Sequence, residues 1–334
     1  MADKSPIEWT DATWNPIVGC DIVSPGCTNC YAMDMAARIE AMSAGLGRHT
    51  HYEGTTRRVK GKAVWTGRLA LAPERIRSEP LRWKRPRMVF VNSMGDLFHE
   101  HVPDEWIDQV FAIMALCPQH TFQVLTKRSA RMREYVSSLP ERRAMLACNS
   151  GLDWVEWPLS NVWLGVSAER QKEADERIPD LLATPAAIRF VSAEPLLGPI
   201  DFTDIPWSAD RPRYPETDDI SDGRSALHFV EGTRLDWIIV GGESGRDARP
   251  MHPDWARAIR DQCEAAGVPF FFKQWGEWMP RRDAHEAGIV PVEVRFPWGR
   301  CQPDMAHVGK TRAGRRLDGV EHSAMPQPRE VPAL

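Results

Sequence analysis

The sequence predicts an α/β protein built on parallel strands, a full or partial TIM-like barrel of about six to eight β/α units. Three observations predict it. Short runs rich in Val, Ile, Phe and Trp alternate with longer amphipathic runs, which is the signature of βαβ units. The short runs are continuously apolar, as expected for strands buried on both faces. Polar side chains gather just after the strands, where parallel α/β folds build their sites. The same pattern leaves a doubly wound open sheet as the second reading.

The elements follow in order. Residues 14–19 read as a first strand, 32–42 as a first helix and 67–71 as a short second strand. Residues 73–83 read as the second helix, weakened by Pro80. Residues 88–92 (M-V-F-V-N) form a strand, and 103–116 a helix with Trp106, Val110, Ile113 and Met114 at helical spacing. Strands at 120–125, 161–166, 187–191, 235–240 and 268–273 alternate with helices at 129–139, 170–182 and 254–266. Gly267 is placed to cap the last of these helices. Residues 49–62 read as a polar, basic connection and 198–234 as an insertion rich in Asp, Pro and Ser. The domain reading is therefore a β/α barrel over 1–278 and an irregular C-terminal extension over 279–334.

Composition narrows the class. A hydrophobic fraction of 43% and a charged fraction of 26% are those of a globular protein. No run of eighteen apolar residues occurs and Met1–Thr10 is polar, so neither a membrane span nor a secretion signal is expected. The expected location is the cytoplasm. A net charge of −4 argues against indiscriminate nucleic-acid binding. Local basic runs stand out nonetheless: Arg57, Arg58, Lys60 and Lys62; Arg82, Lys84, Arg85 and Arg87; and Lys127, Arg128, Arg131 and Arg133. Each reads as a solvated face or as a phosphate-contacting surface. The fourteen tryptophans suit packing between layers and could also stack bases.

Seven cysteines in a chain without a predicted leader argue against a disulfide framework. Cys117 and Cys263 lie in helix-like apolar patterns and read as small core residues, while Cys148 and Cys301 are scattered. Cys20, Cys27 and Cys30 differ: they form C-x6-C-x2-C just after the first strand, in a loop that Gly19, Pro25 and Gly26 let fold tightly. Three soft sulfurs in one loop select zinc, copper(I) or an iron–sulfur cluster. A structural zinc ion wants a fourth ligand, which His49 or His51 could supply. An electron-transfer cluster normally takes four cysteines. Three cysteines with one open iron would leave a place for a small molecule.

A three-cysteine loop after the first strand of a β/α barrel resembles the radical S-adenosylmethionine (SAM) superfamily, with Tyr31-Ala32 after the last cysteine as in many members. The longer first gap departs from the usual C-x3-C-x2-C, and Asn29 stands where an aromatic residue is common. Over nearly its whole length the chain also resembles a bacteriophage and prophage protein family of unknown function that carries this motif. The stretches that carry this resemblance are W-N-P-I-V-G-C (14–20), F-V-N-S-M-G-D-L-F-H (90–99), Q-V-L-T-K-R (123–128), S-A-E-P-L-L-G (192–198), V-G-G-E-S-G (240–245) and F-F-K-Q-W-G-E-W (271–278).

The resemblance implies a barrel of the radical SAM type and an enzyme. Cys20, Cys27 and Cys30 would hold a [4Fe–4S] cluster that reductively cleaves S-adenosylmethionine to a 5′-deoxyadenosyl radical. Asn92, Ser93, Asp96, Lys127, Ser167, Glu169, Glu194 and Glu243, all just past strands, would bind that cofactor, and Lys273, Gln274 and Trp275 would face the substrate. An external electron donor of flavodoxin or ferredoxin type is implied, together with a partner protein encoded nearby. The phage resemblance and the basic, Trp-bearing runs point to a nucleic-acid base or nucleotide as substrate, in modification or repair of DNA or RNA. Two alternatives stay open: a zinc-stabilised nucleic-acid-binding module without catalysis, and a cluster that only passes electrons.

Overall fold

The apolar runs form parallel strands, and the amphipathic runs form the helices that cover them. A computed structural model describes residues 5, 7–150, 157–206, 225–227, 234–291 and 304–327, without the side chains of 141–150. It divides into two compact units, one of Met1–Val166, Asp180–Arg189 and Gln327–Leu334, the other of Ser167–Pro179 and Phe190–Pro326.

The first unit is built on four parallel strands in the order β1 (Ala12–Trp14), β6 (Met88–Val91), β7 (Thr121–Thr126) and β8 (Val162–Ser167). Thr13 pairs with Phe90, Phe90 with Gln123, and Val124 with Leu164. Trp14, Val89, Val91, Phe122 and Val124 are buried, and α3 (Asp104–Ala115) adds Ile107, Val110, Phe111 and Met114. Each such side chain contributes about 1.5–3 kcal/mol when fully removed from water. The helix α4 (Ser129–Ser150) follows β7.

The predicted first strand splits in two. Asn15 and Pro16 interrupt it, because proline lacks the N–H that the ladder needs, and β2 (Ile17–Val18) follows as a separate piece. The predicted second strand is a correction. Only Ala70–Leu71 (β5) is extended, and it pairs antiparallel with β2 rather than joining the parallel strands. The helix over 73–83 breaks at Pro80 into one turn, α2 (Glu74–Arg77), and a 3-10 turn at Glu79–Arg82. The stretch read as a basic connection contains a hairpin, β3 (Thr56–Val59) and β4 (Lys62–Trp65), closed by Lys60 and Gly61, both at positive φ. A two-residue turn of this kind matches the strand twist. The hairpin packs on α1 (Tyr31–Gly45) through Trp65 and Ala63.

The boundary between the units runs through α5 (Gln171–Ala183) and β9 (Ile188–Ala193). In the second unit β10 (Trp237–Gly241) pairs parallel with β9 and with β11 (Phe270–Gln274). The helix α6 (Pro253–Ala266) packs Ala256, Ile259 and Cys263 inward and ends on Gly267 in the left-handed conformation, as its sequence predicts. After Trp278 the periodicity fades, yet β12 (Trp278–Pro280) pairs antiparallel with β13 (Met305–His307), and two short helices follow, α7 (Arg281–Glu286) and α8 (Lys310–Ala313). Most of the predicted insertion, 207–224 and 228–233, lies outside the described residues, as does Cys301.

Seven parallel strands with helices between them bear out the α/β class and the parallel strand type. Among the described residues, no helix is long and apolar enough to cross a membrane. Cys117 and Cys263 are buried free thiols, as predicted. Trp14, Trp237, Trp275 and Trp278 are buried and donate their indole N–H to carbonyls, so they pack rather than stack a ligand.

Candidate metal centre

The cysteine loop lies wholly in the first unit. Gly19 opens it at φ +95°, and a Cβ there would stand 2.1 Å from the Arg68 carbonyl oxygen, so only glycine fits. Gly19 also bridges to Gly95, and its N–H bonds the Met94 carbonyl. These contacts hold the loop against the turn that follows β6. Cys20 comes next, a 3-10 turn carries Cys27, and Cys30 stands as the residue before α1. All three are free thiols.

Their environments differ. Burial pushes the Cys20 thiol up to about 12 and Asp96 adds to this, while the Arg128 guanidinium opposes it. Arg128 Nη1 donates to Cys20 Sγ at 3.4 Å. Cys27 Sγ lies 3.8 Å from Ser24 Oγ. Burial also raises Cys30, opposed by the backbone N–H groups of Ala32 and Met33 at the start of α1 and by the Lys127 ammonium. A helix N-terminus and two cations thus oppose, without outweighing, the burial that holds both thiols protonated.

Asp96 organises the floor. Its carboxylate accepts from Phe98 N, Thr126 Oγ1, Lys127 N and Arg128 Nη1, at 2.6–3.1 Å. Arg128 also donates to Glu100 through Nε. Burial would lower this guanidinium's pKa, but Asp96, Cys20 and Glu100 outweigh it and raise it. Arg128 Nη2 is buried and finds no partner among the described residues. Asn92, at φ +57°, accepts Ile17 N–H on its Oδ1 and leaves Nδ2 buried without a partner among the described residues. Ser93 Oγ donates to Asn15 Oδ1, and its carbonyl accepts the Tyr31 hydroxyl. Buried His99 accepts His101 N–H on Nδ1, so its Nε2 is free to donate to Asp21 Oδ2 at 3.0 Å.

The first unit therefore brings four predicted residues, Asn92, Ser93, Asp96 and Lys127, together with the cysteine loop. The other four belong to the second unit. Buried Glu169 pairs with Arg177 at 3.1 Å, and the same arginine donates to the Ser167 carbonyl. Glu243 accepts from Arg249 through both oxygens. Glu194 Oε2 accepts from Ser192 Oγ and Lys273 Nζ at 3.2 Å, while Oε1 is buried against Gly241 without a partner among the described residues.

Sequence reasoning missed Asn15 and Asp21, and it placed His99 and Arg128 among the polar residues that follow strands without naming them as cofactor-binding residues. Arg128 belongs to a basic run read as a surface, and here the structure corrects the reading: its side chain is 5% exposed. Its place two residues after β7 was the available signal, since the same position gave Lys127. Arg131 and Arg133 are spent on Asp104 and Asp180. His49, one of the two candidates for a fourth zinc ligand, is exposed and bonds Glu53.

The residues fit an iron–sulfur cluster by their chemistry. Three free thiols, an N–H at one sulfur, an orphaned guanidinium N–H beside it and a helix N-terminus at another suit an anionic sulfur-ligated centre. Among the described residues, no set of three His, Cys, Asp or Glu side chains is arranged to hold one metal ion. The thiolates of a cluster each take a different iron and are not the ligand set of one ion.

A family model for proteins of unknown function matches residues 4–326. The chain belongs to that family, DUF5131. No curated protein and no solved structure matches it. The match bears out a family of unknown function that spans nearly the whole chain.

Proposed function

We propose that this DUF5131 protein is an enzyme of radical SAM type that holds a [4Fe–4S] cluster on Cys20, Cys27 and Cys30. The observation that carries the reading is the cysteine loop, three free thiols of which Cys20 lies against a buried arginine whose Nη2 finds no partner among the described residues. When bound, the cluster supplies one-electron cleavage of the carbon–sulfur bond of S-adenosylmethionine, and so hydrogen abstraction from a substrate. The chain's own residues do the rest. Cys20, Cys27 and Cys30 would each hold one iron of such a cluster, which would leave the fourth open to a small molecule. Arg128 donates to Cys20 and offers Nη2–H to an anionic group. Lys127 offers a positive charge near Cys30, and Asn92 Nδ2 offers a second donor to a carboxylate or ribose oxygen. Asp96 acts through Arg128, which it holds in place. A nucleic-acid base or nucleotide is the substrate class we assign, supported by the exposed Arg82, Lys84 and Arg85.

The test is electron paramagnetic resonance of the anaerobically reconstituted, reduced protein, with and without S-adenosylmethionine. The expected result is a [4Fe–4S]⁺ signal that changes on adding S-adenosylmethionine and is lost in Cys20→Ala. A colourless protein holding about one zinc per chain would replace this reading with the zinc-stabilised binding module.

A further inference from the structure

The hairpin of β3 and β4 gathers positive charge that its surroundings do not neutralise. Residues 48–68 hold six Arg and Lys against one acid, Glu53, in a chain whose net charge is −4. Glu53 is spent on His49, and Glu40 of α1 accepts the Gly54 N–H. Among the described residues no carboxylate pairs with Arg48, Arg57, Arg58, Lys60 or Arg68, and all five are exposed. Other surface arginines are matched: Arg133 with Asp180, Arg257 and Arg260 with Asp318, and Arg282 with Glu286. Like charges packed this closely repel, and an anionic ligand would relieve the repulsion.

The hairpin holds these charges in a fixed frame. Its turn, Lys60-Gly61, has positive φ at both residues, and Ala63 and Trp65 are buried against α1. At its base the Thr66 N–H bonds the Thr55 carbonyl and the Thr66 hydroxyl bonds the Gly54 carbonyl. Arg58 Nη1 donates to the Gly61 carbonyl across the turn. The result is a short two-stranded ribbon, anchored on α1, that carries Arg57, Arg58 and Lys60 toward its tip.

The chemistry of the ribbon narrows the partner. A protein partner needs a buried apolar centre, and a membrane surface needs apolar side chains to insert. Here the aromatic residue, Trp65, is turned inward, and Val59 is the one large hydrophobic exposed on the ribbon. A phosphate backbone binds through charge. Four of the five unmatched cations are arginines, whose planar fork matches a phosphate with two parallel bonds. A two-stranded ribbon also fits the major groove of a duplex, about 12 Å wide.

We propose that the hairpin Thr56–Trp65, with Arg48 and Arg68 flanking it in the sequence, binds the phosphate backbone of a nucleic-acid chain. The inference rests on the substrate class assigned above and sharpens it. Cations spread along a ribbon whose four-residue strands span about 13 Å call for several phosphates, so the substrate is a nucleic-acid polymer and not a free nucleotide. Contacts of this kind position the chain and do not read its sequence.

The test is fluorescence anisotropy of the full-length protein with a labelled oligonucleotide, duplex in one arm and single-stranded in the other, from about 50 to about 200 mM salt. Two hairpin variants, Arg57→Ala/Arg58→Ala and Lys60→Ala/Arg68→Ala, are compared at equal melting temperature. The control, Lys172→Ala/Arg282→Ala, removes the same charge from exposed ion pairs of the other unit. Each hairpin variant is expected to bind about tenfold or more weakly at low salt. Each should also lose two contacts from the slope of log affinity against log salt, about 1.8 on duplex or about 1.4 on single strand. The control should bind as the wild type does, and excess mononucleotide should not displace the oligonucleotide. The arm that binds more tightly names the form of the chain. Hairpin variants that bind like the wild type overturn the proposal and leave the nucleic-acid reading standing. A control that loses as much as they do reduces the binding to net charge and overturns it too, as does displacement by the mononucleotide. A wild type that binds neither oligonucleotide strikes the substrate class as well, and phosphatidylserine vesicles bound in their place would assign the ribbon to a membrane surface. Anisotropy reads binding alone, so the outcome is independent of whether the cysteine loop holds a cluster.

Discussion

Two buried arginine–carboxylate pairs stand just past parallel strands, one in each unit, and they serve different ends. Arg177 and Glu169 close on each other: the guanidinium is 7% exposed, the carboxylate 0%, and the arginine's other bond goes to the Ser167 carbonyl. Arg128 and Asp96 are as deeply buried, at 5% and 6%. This second pair is open. The carboxylate has three further donors, and the arginine spends one N–H on a cysteine sulfur and keeps Nη2 buried without a partner among the described residues. A closed buried pair holds a fold together. An open one beside a soft nucleophile carries an unmet demand that an anionic ligand can satisfy.

Removing the arginine of the closed pair should separate the two roles most sharply. Arg177→Met removes the guanidinium that pairs with the buried Glu169 carboxylate, and breaking such a pair costs about 3–5 kcal/mol. A drop of that size in urea-unfolding free energy is expected, with Glu169→Gln on the same background restoring part of it. A loss below about 1 kcal/mol would show that water reaches this carboxylate and that the pair is not structural.

The open pair should respond less in stability and more in chemistry. In Arg128→Gln, Asp96 keeps Phe98 N, Thr126 Oγ1 and Lys127 N, so the expected cost is about 1.5–3 kcal/mol, the range for hydrogen bonds to charged groups. The sulfur of Cys20 loses its donor and a nearby positive charge, which would stabilise the reduced, more negative state of the cluster proposed above. The midpoint potential should therefore move negative, each ~59 mV of shift cutting the reduced-to-oxidised ratio about tenfold at a fixed poise. Arg177→Met should leave that potential where it was. Identical redox titrations for wild type and Arg128→Gln would remove Arg128 from the metal centre.

The same contrast explains what the sequence could reveal. Strands such as 88–91 and 237–241 were legible because both faces are buried and the apolar run is unbroken. The short pieces at 70–71 and 74–77 were not, since two to four residues carry no period and their pairing depends on distant partners. The hairpin at 56–65 was hidden by its own exposure: one strand faces solvent with Arg57 and Arg58, and its turn is Lys-Gly rather than Asn-Gly. The cysteine loop announced itself through spacing and residue type. Arg128 did not, because a basic residue among basic residues reads as solvated until the fold shows the carboxylate beneath it. Glu169 and Glu243 were legible as strand-end acids, but the arginines that occupy them, 8 and 6 residues on, stand at separations no local pattern links.

The smallest expected effect concerns thiols, and it extends the contrast to cysteines. Burial pushes both Cys20 and Cys263 up to about 12, but Cys20 has Arg128 against its sulfur, while burial is the whole cause at Cys263. A thiol is neutral when protonated, so the folded state favours the protonated form of Cys263. Its contribution to stability is complete below the ordinary thiol pKa of about 9 and is lost as pH rises through the folded value near 12. Urea midpoints of the wild type should therefore hold up to about pH 9 and then fall. Cys263→Ala should cost about 1 kcal/mol at neutral pH and flatten the alkaline decline by that thiol's share. An alkaline limb unchanged in Cys263→Ala would mean that the helix opens locally and lets the thiolate reach water before the unit unfolds.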